Sequence, residues 1–289
     1  MPAAEVDIDV ALVRRLLDAQ RPDLAGNEII PLAFGWDNVS FRIGEGRVAR
    51  FPRRGLAARL IDNEARWLPQ LAPSLPLPVP VPEFVGEPTS GYPWRWLIVP
   101  FIPGEPAGTV DDIELAECAV QVGRFLGALH REAPPGAPSN PYRGVALADR
   151  DEAIRQRFES LGDLPARSRL VSLWNEAVAA PTFTDPAVWL HGDLHPQNLL
   201  VADGRLSGVI DFGDITAGDP ATDLAVAWSL VPDEHETFWA AYLPGDSSLR
   251  TRARGWAIAL GLAYVANSAD NPVMEQIGEC TLRAVVDLS

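Results

Sequence analysis

His191-Gly-Asp-Leu-His-Pro-Gln-Asn198, followed by Val209-Ile-Asp-Phe-Gly213, is the stretch on which the fold turns. Asp193 precedes a carboxamide, Asn198, by five residues, and a second carboxylate, Asp211, follows thirteen residues later. Between them, Leu199 to Val201 is an apolar run, Ala202-Asp-Gly-Arg205 carries an Asp-Gly turn signal, and Leu206, Val209 and Ile210 resume the run. Two short strands joined by that turn return Asp211 to the level of Asn198. Three oxygen-bearing side chains on tight loops are what metal-assisted phosphoryl transfer requires. One accepts the nucleophile's proton, and two hold Mg²⁺ on the donor phosphates. On this reading Asp193 is the catalytic base, and Asn198 and Asp211 are the metal ligands. Any one of these acids taken alone reads first as a solvated or capping residue; both spacings together point to the chemistry.

The chain has 289 residues, enough for one large domain or two small ones. No apolar run reaches membrane-spanning length, and the start lacks the basic and apolar regions of a secretory signal, so a cytoplasmic location is expected. Cys118 and Cys280 form no metal or redox spacing. Net charge is -15, which disfavours nucleic acid and anionic membranes as partners. The acidity serves either a cationic substrate or solubility alone. All 24 basic residues are arginine; there is no lysine.

Val10, Val13, Leu16 and Leu17 make one helical face. Strand-like runs follow at Glu28 to Phe34, Val39 to Ile43 and Arg47 to Phe51, an antiparallel meander. Its first turn, Gly35-Trp-Asp-Asn38, reads as a phosphate loop or as a plain hairpin turn. A helix is expected from Leu56 to Leu68, with Glu64 inside its apolar stripe. An inward carboxylate is costly unless paired, and Arg50 on the preceding strand is the natural partner. That pair would hold donor phosphates, since arginine chelates two oxygens and does not titrate near neutral pH. The alternative is a surface ion pair, or Glu64 at the stripe edge.

Pro73 to Pro82 reads as an extended surface connector, and Trp94 to Val99 as a strand. Pro100 to Glu105 is a hinge candidate, with Ile102 the backbone donor for a purine because proline has no N–H. The remainder is largely helical: Ile113 to Arg131 with Asp111 and Asp112 placed to cap it, then Asp149 to Ser160, Ser168 to Ala180, Thr222 to Leu230, Glu234 to Tyr242, Leu249 to Asn267 and Val273 to Asp287. Asp233, Glu234 and Glu236 are candidates to receive ammonium groups, or a solvated helix start. Trp228, Trp239, Tyr242 and Trp256 read first as core.

These segments resemble the aminoglycoside phosphotransferase family of small-molecule kinases. The resemblance rests on Gly35 to Asn38, Val48-Ala-Arg-Phe-Pro-Arg53, Asn63-Glu-Ala-Arg66, His191 to Asn198, Val209 to Asp214, and Gly218-Asp-Pro-Ala-Thr-Asp-Leu-Ala225. It implies an α+β, two-lobed protein-kinase-like fold: a small antiparallel-sheet nucleotide-binding lobe over residues 1–100, and a mainly helical lobe over 101–289 with the catalytic loop and substrate site. It implies a Mg²⁺-dependent enzyme using ATP or GTP to phosphorylate an alcohol. The acceptor would be an aminoglycoside-like antibiotic or related cationic metabolite, or alternatively a macrolide or other small alcohol. No nucleic acid, membrane or obligate protein partner is implied. Arg50 stands where the family has lysine, Glu64 is its partner, and Asp219 and Asp223 brace the catalytic loop. His191 and His195 read as scaffold. A protein kinase is disfavoured, because Asp214 to Pro220 is too short for a peptide-docking segment and no Ala-Pro-Glu element follows. A non-catalytic nucleotide-binding module should have lost one of Asp193, Asn198 and Asp211, and all three are present.

Overall fold

The computed structural model describes residues 3–162, 164–242 and 248–289. The described residues form two compact units. The first runs to Pro73 and adds Pro78–Pro103 and Asp211–Gly213; the second comprises Ser74–Leu77, Gly104–Ile210 and Asp214 onward.

The first unit opens with α1 (Val10–Gln20), whose N-cap Asp9 accepts from Leu12 N at 2.7 Å. Strands β1 (Ile29–Phe34), β2 (Asn38–Ile43) and β3 (Arg47–Pro52) follow, then α2 (Gly55–Leu71), β4 (Phe84–Gly86) and β5 (Trp96–Pro100). The sheet order is β1-β2-β3-β5-β4, with every pair antiparallel. Period-two alternation divides β3 between two cores. Ala49 and Phe51 join Val13, Leu16 and Leu17 of α1, together with Phe41, Tyr92 and Trp96. Val48 faces the other way, with Leu97, Val99 and Ile61 of α2. Arg50, opposite Leu97, shares this second face.

Two features between Gly55 and Pro82 depart from the sequence expectation. Helix α2 continues through Pro69 to Leu71; the proline sits in the last turn, where it forfeits one helical hydrogen bond, and Leu71 is buried. The proline-rich connector is not purely surface, because Leu77 and Val79 are buried. Strand β4 is too short to carry a pattern of its own. It is held to β5, with Gly86 opposite Trp96.

The second unit contains β6 (Glu105–Pro106), α3 (Leu115–Leu129), α4 (Asp151–Ser160), α5 (Arg167–Ala179), β7 (Val188–Leu190), β8 (Leu199–Ala202), β9 (Arg205–Val209) and β10 (Thr216–Gly218). Helices α6 (Ala221–Leu224), α7 (Val226–Ser229), α8 (His235–Tyr242), α9 (Leu249–Asn267) and α10 (Pro272–Asp287) follow. Helix α9 packs against α5, α6 and α10, and α3 packs against α8. The expected helix from Thr222 to Leu230 is broken at Ala225, so that α6 packs on α9 and α7 on α10. Helix α3 begins after Glu114, which makes no side-chain cap, so Asp111 and Asp112 do not cap it. The strands β6, β7 and β10 are two or three residues long, too short for an alternation to be read.

Gly86 supplies a test of the sheet. A Cβ there would lie 2.0 Å from the fully buried indole of Trp96. Gly86→Ala is expected to destabilise the protein by ~1–3 kcal/mol through overpacking. Thermal denaturation checks it, and an unchanged midpoint would refute the close approach.

Candidate active site

The loop between β7 and β8 is built on its own backbone. Asp223 accepts from His191 N at 2.7 Å and from Gly192 N at 2.9 Å, and its carboxylate is buried. Gly192 has φ +86°, and a Cβ there would meet Asp214 O at 2.3 Å, so only glycine fits the turn. His191 Nδ1 accepts from Asp193 N at 3.2 Å, which assigns the ring proton to Nε2, 2.9 Å from Ile210 O. His195 Nδ1 accepts from Gln197 N at 3.2 Å, so its proton too lies on Nε2, which faces Asp193 Oδ2 at 3.5 Å. Both histidines are hydrogen-bonding scaffold.

Asp193 is therefore held from both sides. Arg143 NH2 reaches its Oδ1 at 3.3 Å, while Arg143 Nε donates to Gly192 O at 2.7 Å. Burial pushes the Asp193 carboxyl up, but the hydrogen bond from His195 and the charge of Arg143 outweigh it and hold the group below the usual carboxylate range. The carboxylate is ionised at neutral pH and keeps 29% of its side-chain surface exposed, enough to receive a hydroxyl.

Asn198 donates its Nδ2 to Asp193 O at 2.9 Å. Among the described residues nothing donates to its Oδ1. The hairpin forms as the Asp-Gly signal requires: Asp203 and Gly204 have φ +51° and +76°, and β8 pairs with β9. Ile210 N then donates to Asn198 O at 2.9 Å, and Asp211 is the next residue along the chain.

In the first unit, Arg50 stands between two carboxylates. Its NH1 meets Glu64 Oε1 at 2.5 Å and its NH2 meets Asp211 Oδ1 at 2.7 Å. Glu64 is fully buried, which decides between the two readings of this pair: it is an interior ion pair. Burial raises the Glu64 carboxyl to about 7, against the pull of Arg50. Burial lowers the Arg50 guanidinium, but Glu64 and Asp211 more than compensate and hold it above its ordinary value. Asp211 adopts φ +62°, a left-handed conformation that non-glycine residues seldom take, and such strain gathers at functional positions. Its side chain is half exposed.

The turn at Gly35 to Asn38 is a hairpin turn pinned by arginine: Arg53 NH1 donates to Gly35 O at 2.8 Å, and Arg54 pairs with Asp37. Ile102 follows β5. The neighbouring Phe101 N is spent on Gly46 O at 2.9 Å, whereas no described residue accepts from Ile102 N. Two of the acids considered for ammonium binding are engaged, Glu234 by Thr237 and Glu236 by Arg250. Trp228, Trp239 and Trp256 are buried as core.

Three features escape sequence reasoning. Arg143 lies 50 residues before Asp193 on an irregular segment without periodicity. His130 bridges Asp223 at 3.2 Å and the Tyr242 hydroxyl at 2.9 Å, and Arg252 pairs with Asp219 at 2.7 Å in the interior. The only advance signal was polar residues within apolar helical stretches.

Comparison with known proteins places the chain in a family. Residues 28–256 match the profile of the phosphotransferase enzyme family. The viomycin phosphotransferase of Streptomyces vinaceus is 34% identical over 203 residues, covering 63% of this chain and 67% of the relative. An aminoglycoside 3′-phosphotransferase of Escherichia coli is 28% identical over 184 residues, covering 61% of this chain and 65% of the relative, so the chain spans slightly less than two thirds of that protein. A homoserine kinase of Granulibacter bethesdensis is 29% identical over 163 residues, covering 51% of this chain and 48% of the relative. Among solved structures, the GDP complex of wild-type aminoglycoside 2′-phosphotransferase-IIIa superposes with TM-score 0.72 at 19% identity, covering 98% of this chain and 100% of that one. The apoenzyme of macrolide 2′-phosphotransferase MphH from Brachybacterium faecium gives 0.66 at 21%, covering 94% and 98%. The likeness establishes the protein-kinase-like fold, with an antiparallel-sheet unit and a helical unit.

Asp223→Ala removes the acceptor for two buried amides. The expected cost is ~1–3 kcal/mol for each amide left unpaired, with Asp223→Asn intermediate. Urea denaturation measures it; a wild-type midpoint in Asp223→Ala would contradict the bracing role.

Proposed function

The chain belongs to the phosphotransferase enzyme family, and from that premise we propose that it transfers the γ-phosphate of ATP or GTP to a hydroxyl of an aminoglycoside-like antibiotic or related cationic small molecule. The observation that carries this reading is the Asp193 carboxylate, ionised, oriented by two side chains and open on its remaining side. The acceptor oxygen forms a bond to the γ-phosphorus as the bond to the leaving nucleoside diphosphate oxygen breaks. The acceptor's proton passes to Asp193. The products are a phosphate monoester and the nucleoside diphosphate. Such transfers have loose transition states, so positioning and charge neutralisation supply most of the catalysis.

Nucleotide binding is supported by three features. Arg50 is a buried cation whose delocalised fork suits phosphate oxygens, in a chain without lysine. Glu64 fixes its direction. The amide of Ile102 is available to a purine edge. The donor chemistry of Asn198 and Asp211 suits Mg²⁺, a hard cation that prefers oxygen: Asn198 has an unengaged Oδ1, and Asp211 has one oxygen beyond that taken by Arg50. When bound, the ion neutralises charge on the donor phosphates. Solved relatives described as GDP, ADP and ATP complexes are consistent with a nucleotide donor. Among the described residues no helix is long and apolar enough to cross a membrane, and a nucleotide donor suits a cytoplasmic enzyme.

Asp193→Ala is expected to lower kcat by about 10²–10⁴-fold with the fold intact, the range for a lost general base. Steady-state assay of nucleotide consumption decides it, and near-normal turnover removes Asp193 from the chemistry. Arg50→Lys is expected to retain more activity than Arg50→Ala, since it keeps a cation against phosphate. If the two variants are equally impaired in nucleotide KM, Arg50 does not touch the donor.

A further inference from the structure

The guanidinium of Arg143 has no place in the sequence motif, yet it reaches the carboxylate at the centre of the proposed reaction. Its segment is anchored without it. Pro138 O accepts from Ala217 N at 2.9 Å and from Thr216 Oγ1 at 3.0 Å. Asn140 Nδ2 donates to Asp214 Oδ1 at 2.8 Å, Gly144 N donates to Thr222 Oγ1 at 2.9 Å, and Gly144 O accepts from Asp219 N at 2.9 Å. Gly144 takes φ +69° and a Cβ there would meet Leu190 Cδ1 at 2.7 Å, so the strap lies tight against β7. Backbone and short polar groups thus fix residues 138–144 at both ends. The Arg143 side chain is left to span Gly192 O and Asp193 Oδ1.

We propose that Arg143 is a positioning residue for phosphoryl transfer, holding one oxygen of Asp193 so that the carboxylate presents a fixed edge to the acceptor hydroxyl. The proposal rests on the kinase reading above. In a loose transition state the hydroxyl keeps its proton until late, so the direction of the accepting carboxylate matters more than its basicity. His195 constrains the other oxygen at the longer distance of 3.5 Å, and without Arg143 the carboxylate is free to rotate about its Cβ–Cγ bond. The two-point contact, Nε on the loop carbonyl and NH2 on the carboxylate, is one that lysine cannot make.

The test compares Arg143→Gln, Arg143→Lys and Asn140→Ala with wild type, using the acceptor the wild-type chain phosphorylates fastest, with melting temperatures alongside. Arg143→Gln is expected to lower kcat about a hundredfold, the order of loss for misplaced catalytic groups, with nucleotide KM within about twofold. Arg143→Lys should fall between. Asn140→Ala loosens the same strap away from Asp193 and should keep kcat within about threefold of wild type. Full activity in Arg143→Gln, an equal loss in Asn140→Ala, or an effect on nucleotide KM alone overturns the role. If Arg143→Gln does not fold, Arg143→Lys carries the test: a kcat loss of about tenfold at unchanged nucleotide KM supports the role, and wild-type kcat overturns it. Absence of transfer by the wild-type chain with every acceptor removes the kinase reading and this role together; transfer by wild type that survives in folded Arg143 variants removes the role alone.

Discussion

A guanidinium withdrawn from water has to be met by carboxylate, and in this chain Arg50 is met by two. Taking the charge into the first unit is costly, and removing Arg50 would leave the buried Glu64 uncompensated. That constraint sets the local architecture. The register of β3 turns Arg50 toward α2, the helix supplies Glu64 from inside its apolar stripe, and Asp211 accepts a left-handed backbone beside the arginine. The same arrangement explains how a chain without lysine keeps a cation suited to phosphate. Arginine does not lose its charge on burial near neutral pH, and its fork reaches one oxygen of each carboxylate at once.

The second unit solves a related problem with backbone. A catalytic loop must hold a carboxylate in place while staying open to substrate. Here Asp223 fixes the amides of His191 and Gly192, His191 ties the loop to Ile210, and Asn198 closes it onto Asp193 O. Each anchor is buried or nearly so, while Asp193 retains exposed surface. The loop is irregular in shape, but its backbone is anchored by these hydrogen bonds, and that allows it to be both precise and solvent-facing.

Much of this is legible in the sequence. The hairpin followed from an Asp-Gly turn between two apolar runs, because the turn's left-handed residues leave little choice. The Arg50 and Glu64 pairing follows from one acid in an apolar stripe and an arginine on the strand before it. What escaped was set by tertiary context. Arg143 acts across 50 residues from a loop without periodicity. Pro69 did not stop α2, because buried Leu71 holds the last turn in place. Asp111 and Asp112 look like caps, but the helix starts after Glu114. The continuous stripe near Thr222 to Leu230 hid a break that serves two different neighbours.

The central claim is nucleotide-dependent phosphorylation of a small-molecule hydroxyl. The most direct measurement incubates the protein with Mg²⁺ and ATP or GTP against aminoglycosides, macrolides, viomycin and hydroxylated amines, following each acceptor by mass spectrometry. The account predicts the addition of one phosphate to at least one acceptor, matched by release of one nucleoside diphosphate and abolished when Mg²⁺ is chelated. Tight Mg²⁺-dependent nucleotide binding with no phosphorylated acceptor in any class would contradict it.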